Sequence, residues 1–125
     1  MFQAQGDLEH ARVAMDHGFH DWAAFSAQQA AEKAAKAVLN RLGAEAWGHS
    51  VTDLLDALSG AVALPRELPD MARELDKAYI TSRYPDALPS GSPRSLYTRL
   101  EAERHVGYAE RIVEFCEGYL SRASS

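Results

Sequence analysis

Apolar residues recur every three to four positions along most of the chain, and the recurrence breaks at glycines and prolines. The longest unbroken stretch runs from Asp21 to Leu42, DWAAFSAQQAAEKAAKAVLNRL, rich in alanine and free of Gly and Pro. Alanine has the highest helix propensity, so this stretch is predicted as the central helix. At about 100° per residue, Ala23, Ala27, Ala30, Ala31, Ala34, Val38 and Leu42 gather on one broad face. Gln28, Gln29, Glu32, Lys33 and Lys36 fall on the other, flanked by Trp22, Phe25 and Leu39. The alanine face is shallow and lets neighbouring helices approach closely. The mixed face is expected to be half buried or to line a site.

The same reading places four more helices around it. Gly6–His17 is predicted as the first, with Asp7 as N-cap, Leu8, Ala11 and Met15 inward and Gly18 closing it. Gly43 ends the central helix. Ser50, with Asp53 three residues on, approximates a capping box before Val51, Leu54, Leu55 and Leu58, a short helix ending at Gly60. A fourth helix runs from Glu67 or Pro69 to Thr81, carrying Leu68, Met71, Ala72, Leu75, Ala78 and Tyr79. The stretch Arg83–Pro93, RYPDALPSGSP, is too rich in proline for helix. The last helix is expected from Ser95 to about Leu120, with Ala102, Val106, Ala109, Val113, Cys116 and Leu120 inward and a frayed tail after it. With no period-two strand pattern and short connections, the fold class is all-α, a compact and largely antiparallel bundle of four to five helices. The 125 residues suit one domain, ordered from about residue 7 to 120.

Composition narrows the function classes. The chain is 46% hydrophobic and 25% charged, with net charge −5 and pI near 5.5. That balance argues against tight non-specific binding to a nucleic-acid backbone but leaves room for a local basic pocket. Arg83, Arg94, Arg99 and Arg104 do crowd around one loop and the helix after it. The single cysteine excludes an intrachain disulfide and a cysteine zinc site, which makes the cytoplasm the expected location. The start lacks the basic and apolar regions of a signal peptide, and no apolar run reaches the length of a bilayer span. No Gly-rich phosphate loop, HExxH or GxSxG occurs, and His10, His17 and His20 have no companion at metal-ligand spacing. Neither a metal nor a cofactor is expected.

Two constellations carry candidate chemistry. Arg83-Tyr84-Pro85-Asp86 puts a guanidinium, a phenol and a carboxylate within one loop. Arg83 can grip a phosphate, Tyr84 can stack on a base, and the alternative is that Arg83 and Asp86 only tie the loop to helix ends. Arg99 and His105 fit a second role, with His105 as general acid or base and Arg99 stabilising a phosphorane. On one continuous helix the two stand about 120° apart with about 9 Å of rise between them, so they also read as separate surface residues. His49, beside the Ser50 cap, either bonds locally or points into the groove by the loop. Glu32 and Lys36, four apart, can be no more than a helix pair.

The blocks AFSAQQAAEKAAKAVL, GHSVTDLL, LDKAYITSRYPDA and YTRLEAERHVGYAERIVEF occur in an order that resembles the HEPN domain family, over roughly Asp7 to Leu120. The resemblance implies a helical bundle that commonly dimerises, often paired with a small nucleotidyltransferase in a toxin–antitoxin arrangement. Some branches are metal-independent ribonucleases with an Arg-x4–6-His motif at a dimer cleft; others bind nucleotide or RNA without catalysis. Counted from Arg83, the histidine positions hold Leu88, Pro89 and Ser90, whereas Arg99 and His105 satisfy the count. The residues transferred by the resemblance are Arg83, Tyr84, Asp86 and His49 for ligand binding, with Gln29, Glu32 and Lys36 in support.

These readings converge on a nucleotide- or RNA-binding module, homodimeric and acting with a nucleotidyltransferase partner. The alternatives are a metal-independent endoribonuclease using Arg99 and His105, and a non-catalytic dimerisation or interaction protein whose surface includes Trp47, Leu88 and Leu96.

Overall fold

In the computed structural model, residues 1–46, 48–83 and 97–124 are described, with backbone alone for 79–83 and 123–124. Among them are five helices: α1 (Phe2–Asp16), α2 (His20–Arg41), α3 (Val51–Ser59), α4 (Leu68–Arg83) and α5 (Arg99–Ser124). The all-α bundle expected from periodicity is the observed fold.

Helix α2 is the axis of the molecule and packs against each of the other four. Its alanines explain how. Ala23, Ala27, Ala30, Ala31 and Ala34 have no exposed surface at all. With only methyl groups at the contact, helix axes can approach toward the lower end of the usual spacing, about 8 Å. The bulky packing comes from the partners: Leu8 of α1, Leu54, Leu55 and Leu58 of α3, Leu68 and Leu75 of α4, Ile112 and Val113 of α5. Each fully buried leucine stabilises the fold by about 1.5–3 kcal/mol.

Ion pairs and side-chain hydrogen bonds fix the directions. Gln5 bonds Glu117, and Arg12 meets Glu110 at 3.1 Å, so α1 runs antiparallel to α5. Lys33 of α2 pairs with Asp7 at 2.6 Å in the hairpin with α1. Since α1 opposes both, α2 and α5 run parallel, and the Tyr97 amide bonding Asp21 at 2.9 Å brings their starts together. Arg111 meets Glu67 at 2.9 Å, which sets the start of α4 beside the middle of α5.

Three element ends depart from expectation. Helix α1 begins at Phe2, a turn before Gly6, because Ala4 as well as Leu8 and Ala11 is buried; tertiary packing outweighs the cost of a mid-helix glycine. Asp7 is therefore no N-cap but the partner of Lys33. Leu42, expected inward, lies just past the helix and is 38% exposed, because Gly43 at φ 77 turns the chain away. Helix α5 starts at Arg99 rather than Ser95. Thr98 and Glu101 form a reciprocal capping box: the Glu101 amide donates to Thr98 Oγ1 at 3.0 Å and the Thr98 amide donates to Glu101 Oε1 at 2.9 Å. Those bonds hold the Glu101 carboxyl below its usual range.

The start of α3 is where three elements join. Ser50 Oγ accepts from the Asp53 amide at 3.1 Å, as its sequence position predicts. Asp76 of α4 supplies the larger cap. Its carboxylate accepts from the Val51 amide at 2.8 Å, the Thr52 amide at 2.9 Å and the Thr52 hydroxyl at 2.6 Å, and from Ser50 Oγ at 3.1 Å. A carboxylate at a helix N-terminus satisfies orphan amides and complements the helix dipole. Asp76→Ala is expected to cost about 2–4 kcal/mol in urea unfolding, since several half-buried donors lose one acceptor. A loss below about 0.5 kcal/mol would show that water replaces the carboxylate without penalty.

Candidate functional site

The mixed face of α2 turns toward α3 and α4, and two of its buried positions are polar. Gln28 and Glu32, one turn apart, are buried, at 0% and 4% exposure. A buried polar group is costly unless bonded, and a buried carboxylate needs a cation. Gln28 Nε2 donates to the His49 carbonyl at 2.7 Å and to Asp76 Oδ1 at 3.2 Å, and its Oε1 accepts from Gln29 Nε2 at 2.7 Å. Glu32 Oε1 accepts from Lys36 Nζ at 2.8 Å and meets His49 Nδ1 at 2.8 Å. Glu32 Oε2 is buried without a hydrogen-bond partner among the described residues.

The loop into α3 is shaped to deliver His49. Gly48 sits at φ 79, a left-handed conformation that costs a side-chain-bearing residue energy, and it turns the chain onto the α2 face. The Glu32 carboxylate, 2.8 Å from Nδ1, then fixes the orientation of the ring. The result is a buried anion holding two cationic or protonatable side chains, Lys36 and His49, at the protein surface; the His49 side chain is 55% exposed. Such an arrangement presents the Lys36 ammonium to an anionic ligand, with the His49 ring fixed beside it.

The structure brings together His49, Glu32, Lys36 and, through Gln28, Gln29. Glu32 and Lys36 are thus more than a surface helix pair. Arg83 is the last residue of α4, two turns beyond Asp76 in the direction of the α2 and α5 starts. Tyr84 and Asp86 lie outside the described residues, as do Trp47, Leu88 and Leu96. Asp76 was not singled out in the sequence. Its position, immediately before Lys77 on an amphipathic helix, carries no local signal, because its partners are 24 to 48 residues away.

Arg99 and His105 are placed in different environments. Arg99 is exposed on the first turn of α5 and pairs with Glu103 at 3.0 Å. His105 is 4% exposed, with its ring edge-on to Tyr97 at 5.2 Å between centroids. Its Nδ1 has no hydrogen-bond partner among the described residues. Burial holds its pKa below 6.5, opposed by the nearby charges of Glu74 and Glu101. The Cys116 thiol, also buried, is pushed up to about 12, as suits a packing residue. Among the described residues no group of three or more His, Cys, Asp or Glu is arranged to hold a metal ion, and no helix is long and apolar enough to cross a membrane.

Comparison with known proteins adds the following. The model of the HEPN domain matches residues 1–119. An HEPN domain protein from Thermotoga maritima is 60% identical, with TM-score 0.79 over 95% of this chain and 94% of that one. A protein from Thermus thermophilus is 46% identical, with TM-score 0.87 over 93% of this chain and 91% of that one. An archaeal HEPN homologue is 38% identical, with TM-score 0.78 over 94% of this chain and 91% of that one. No match is found among curated proteins.

The depressed pKa of His105 sets a pH dependence. The unfolded chain binds this proton more readily than the fold does, so the stability arising from a neutral, buried His105 is present above pH 6.5 and is lost as pH falls below it. His105→Phe is expected to flatten the urea-midpoint profile between pH 7.5 and 5.5, removing a slope of at most about 1.4 kcal/mol per pH unit, the limit for one proton. Parallel profiles for the two proteins would show that His105 titrates alike in both states.

Proposed function

Because the chain belongs to the HEPN domain family, we propose that it is a nucleotide- or RNA-binding module that contacts phosphate at Lys36 and His49 and, separately, further toward the start of α2, at Arg83. The observation that carries this reading is the buried Glu32 carboxylate holding Lys36 and His49 at 2.8 Å each. A buried ion pair is a weak source of stability, because the desolvation cost offsets most of the attraction. Its use here is to hold donors in place. Tyr84 and Asp86, next to Arg83 in sequence, complete the ligand contacts by stacking and by accepting from a base or ribose. A nucleotidyltransferase partner, a toxin–antitoxin setting and a homodimer belong to the same reading, by family resemblance.

Binding fits the geometry better than cleavage does. A nuclease built on Arg99 and His105 requires both to reach one phosphate, yet Arg99 is exposed and tied to Glu103 while His105 is buried. That alternative demands RNA cleavage in EDTA that disappears in His105→Ala.

Arg83→Ala is expected to weaken AMP or single-stranded RNA binding by about tenfold or more in calorimetry, since it removes a charge-assisted contact, while leaving the melting temperature within about 2 °C. His49→Gln is expected to weaken binding as well, because the amide does not reproduce the shape and position of the imidazole held by Glu32. Unchanged affinity in both variants would remove the support for this reading. A large fall in melting temperature for Arg83→Ala would make Arg83 a structural tie.

A further inference from the structure

A second groove, of about 350 Å3, opens between the first turn of α1 and the last turns of α2. Its volume lies within the usual range for small-ligand sites. Lys33, Lys36, Ala37 and Asn40 line it from α2, at i, i+3, i+4 and i+7, so they form one continuous stripe. Phe2 and Gln3 line it from α1, and Phe2 is 92% exposed, with no packing role within the chain. For a protein of net charge −5 the lining is unusual, because no carboxylate takes part in it. The acids that pair with its lysines, Asp7 at 2.6 Å from Lys33 and Glu32 at 2.8 Å from Lys36, are not among the lining residues. Each ammonium carries three donors, and one ion pair leaves others for a ligand.

Cations, side-chain amides and an exposed aromatic ring are the combination that binds single-stranded nucleic acid: charge follows the backbone and the ring stacks on a base. We propose that this groove seats one nucleotide of a single-stranded RNA or DNA. Phe2 stacks on its base, Asn40 and Gln3 bond the base edge or sugar, and Lys33 and Lys36 contact the flanking phosphates. Lys36 belongs both to this groove and to the Glu32–His49 cluster, so the two form one track along α2. The ligand is then an oligonucleotide and not a single nucleotide. This extension of the ligand rests on the nucleotide-binding reading above.

The test is fluorescence anisotropy with a labelled single-stranded adenylate hexamer, on the wild type, Phe2→Ala, Lys33→Gln and Arg83→Ala, across a salt series. Phe2→Ala is expected to weaken hexamer binding about 5- to 100-fold, the range for loss of one base stack. Lys33→Gln is expected to reduce the slope of log K against log salt by about 0.7, the loss of one phosphate contact on a single strand. Melting temperatures of the variants check that each remains folded; Phe2, being exposed, has little bearing on stability. If the hexamer binds in an Arg83-dependent way but Phe2→Ala and Lys33→Gln match the wild type, the groove is not a nucleotide seat and the reading above stands. Binding that depends on Phe2 and Lys33 but not on Arg83 supports the groove and overturns the Arg83 site. A wild type that binds no hexamer overturns both.

Discussion

A helix in contact with four others has almost no face left for water, and α2 is in that position. Alanine is the residue that permits it, because a larger side chain on the crowded faces would push the flanking helices apart and strain the core. Everything else in the bundle follows from that closeness. The partner helices contribute the leucines, isoleucine and valines that fill the space, and each inward polar residue on α2 must find its partners within the protein. Gln28 and Glu32 are the two that do so, and their partners define the polar centre of the molecule.

That centre joins three elements that are distant in sequence. Asp76 of α4 caps α3, Gln28 of α2 bonds both Asp76 and the carbonyl of His49, and Glu32 holds the His49 ring and Lys36. In the proposed site the positions of Lys36 and His49 are therefore set by buried groups. A site supported in this way keeps its donors in position before a ligand arrives, which lowers the ordering cost of binding. The same helix carries a second set of polar side chains, Lys33 and Asn40, about one turn to either side of Lys36, which belongs to both sets.

Much of the fold was legible because it depends on short-range pattern. The period of apolar residues located all five helices, Gly43 marked the end of α2, and Ser50 announced the start of α3. What was missed depends on contacts across the chain. The first turn of α1 forms because Ala4 is buried against the bundle, which no local cap signals. The Thr98–Glu101 capping box is written in the sequence, but the predicted start lay upstream, at Ser95. At the site, His49, Glu32, Lys36 and Gln29 were legible as polar residues on or near one helix face, whereas Asp76 was not, since its donors lie on another element. Gln28 had been placed with the polar face, and its burial at the junction followed only from the packing of α3 and α4. Arg99 and His105 fit a sequence count, but the count carries no information about burial, and the two ended in different environments.

The central claim is that Glu32 acts on ligand binding by holding His49 in place. A double-mutant cycle on affinity for the single-stranded adenylate hexamer, with Glu32→Gln, His49→Gln and the pair, measures this directly, provided circular dichroism shows all variants folded. The account predicts strong non-additivity: once Glu32 is replaced, changing His49 costs little further affinity, because the ring has already lost its fixed position. Additive losses from the two substitutions would contradict it, showing that the carboxylate and the imidazole act independently.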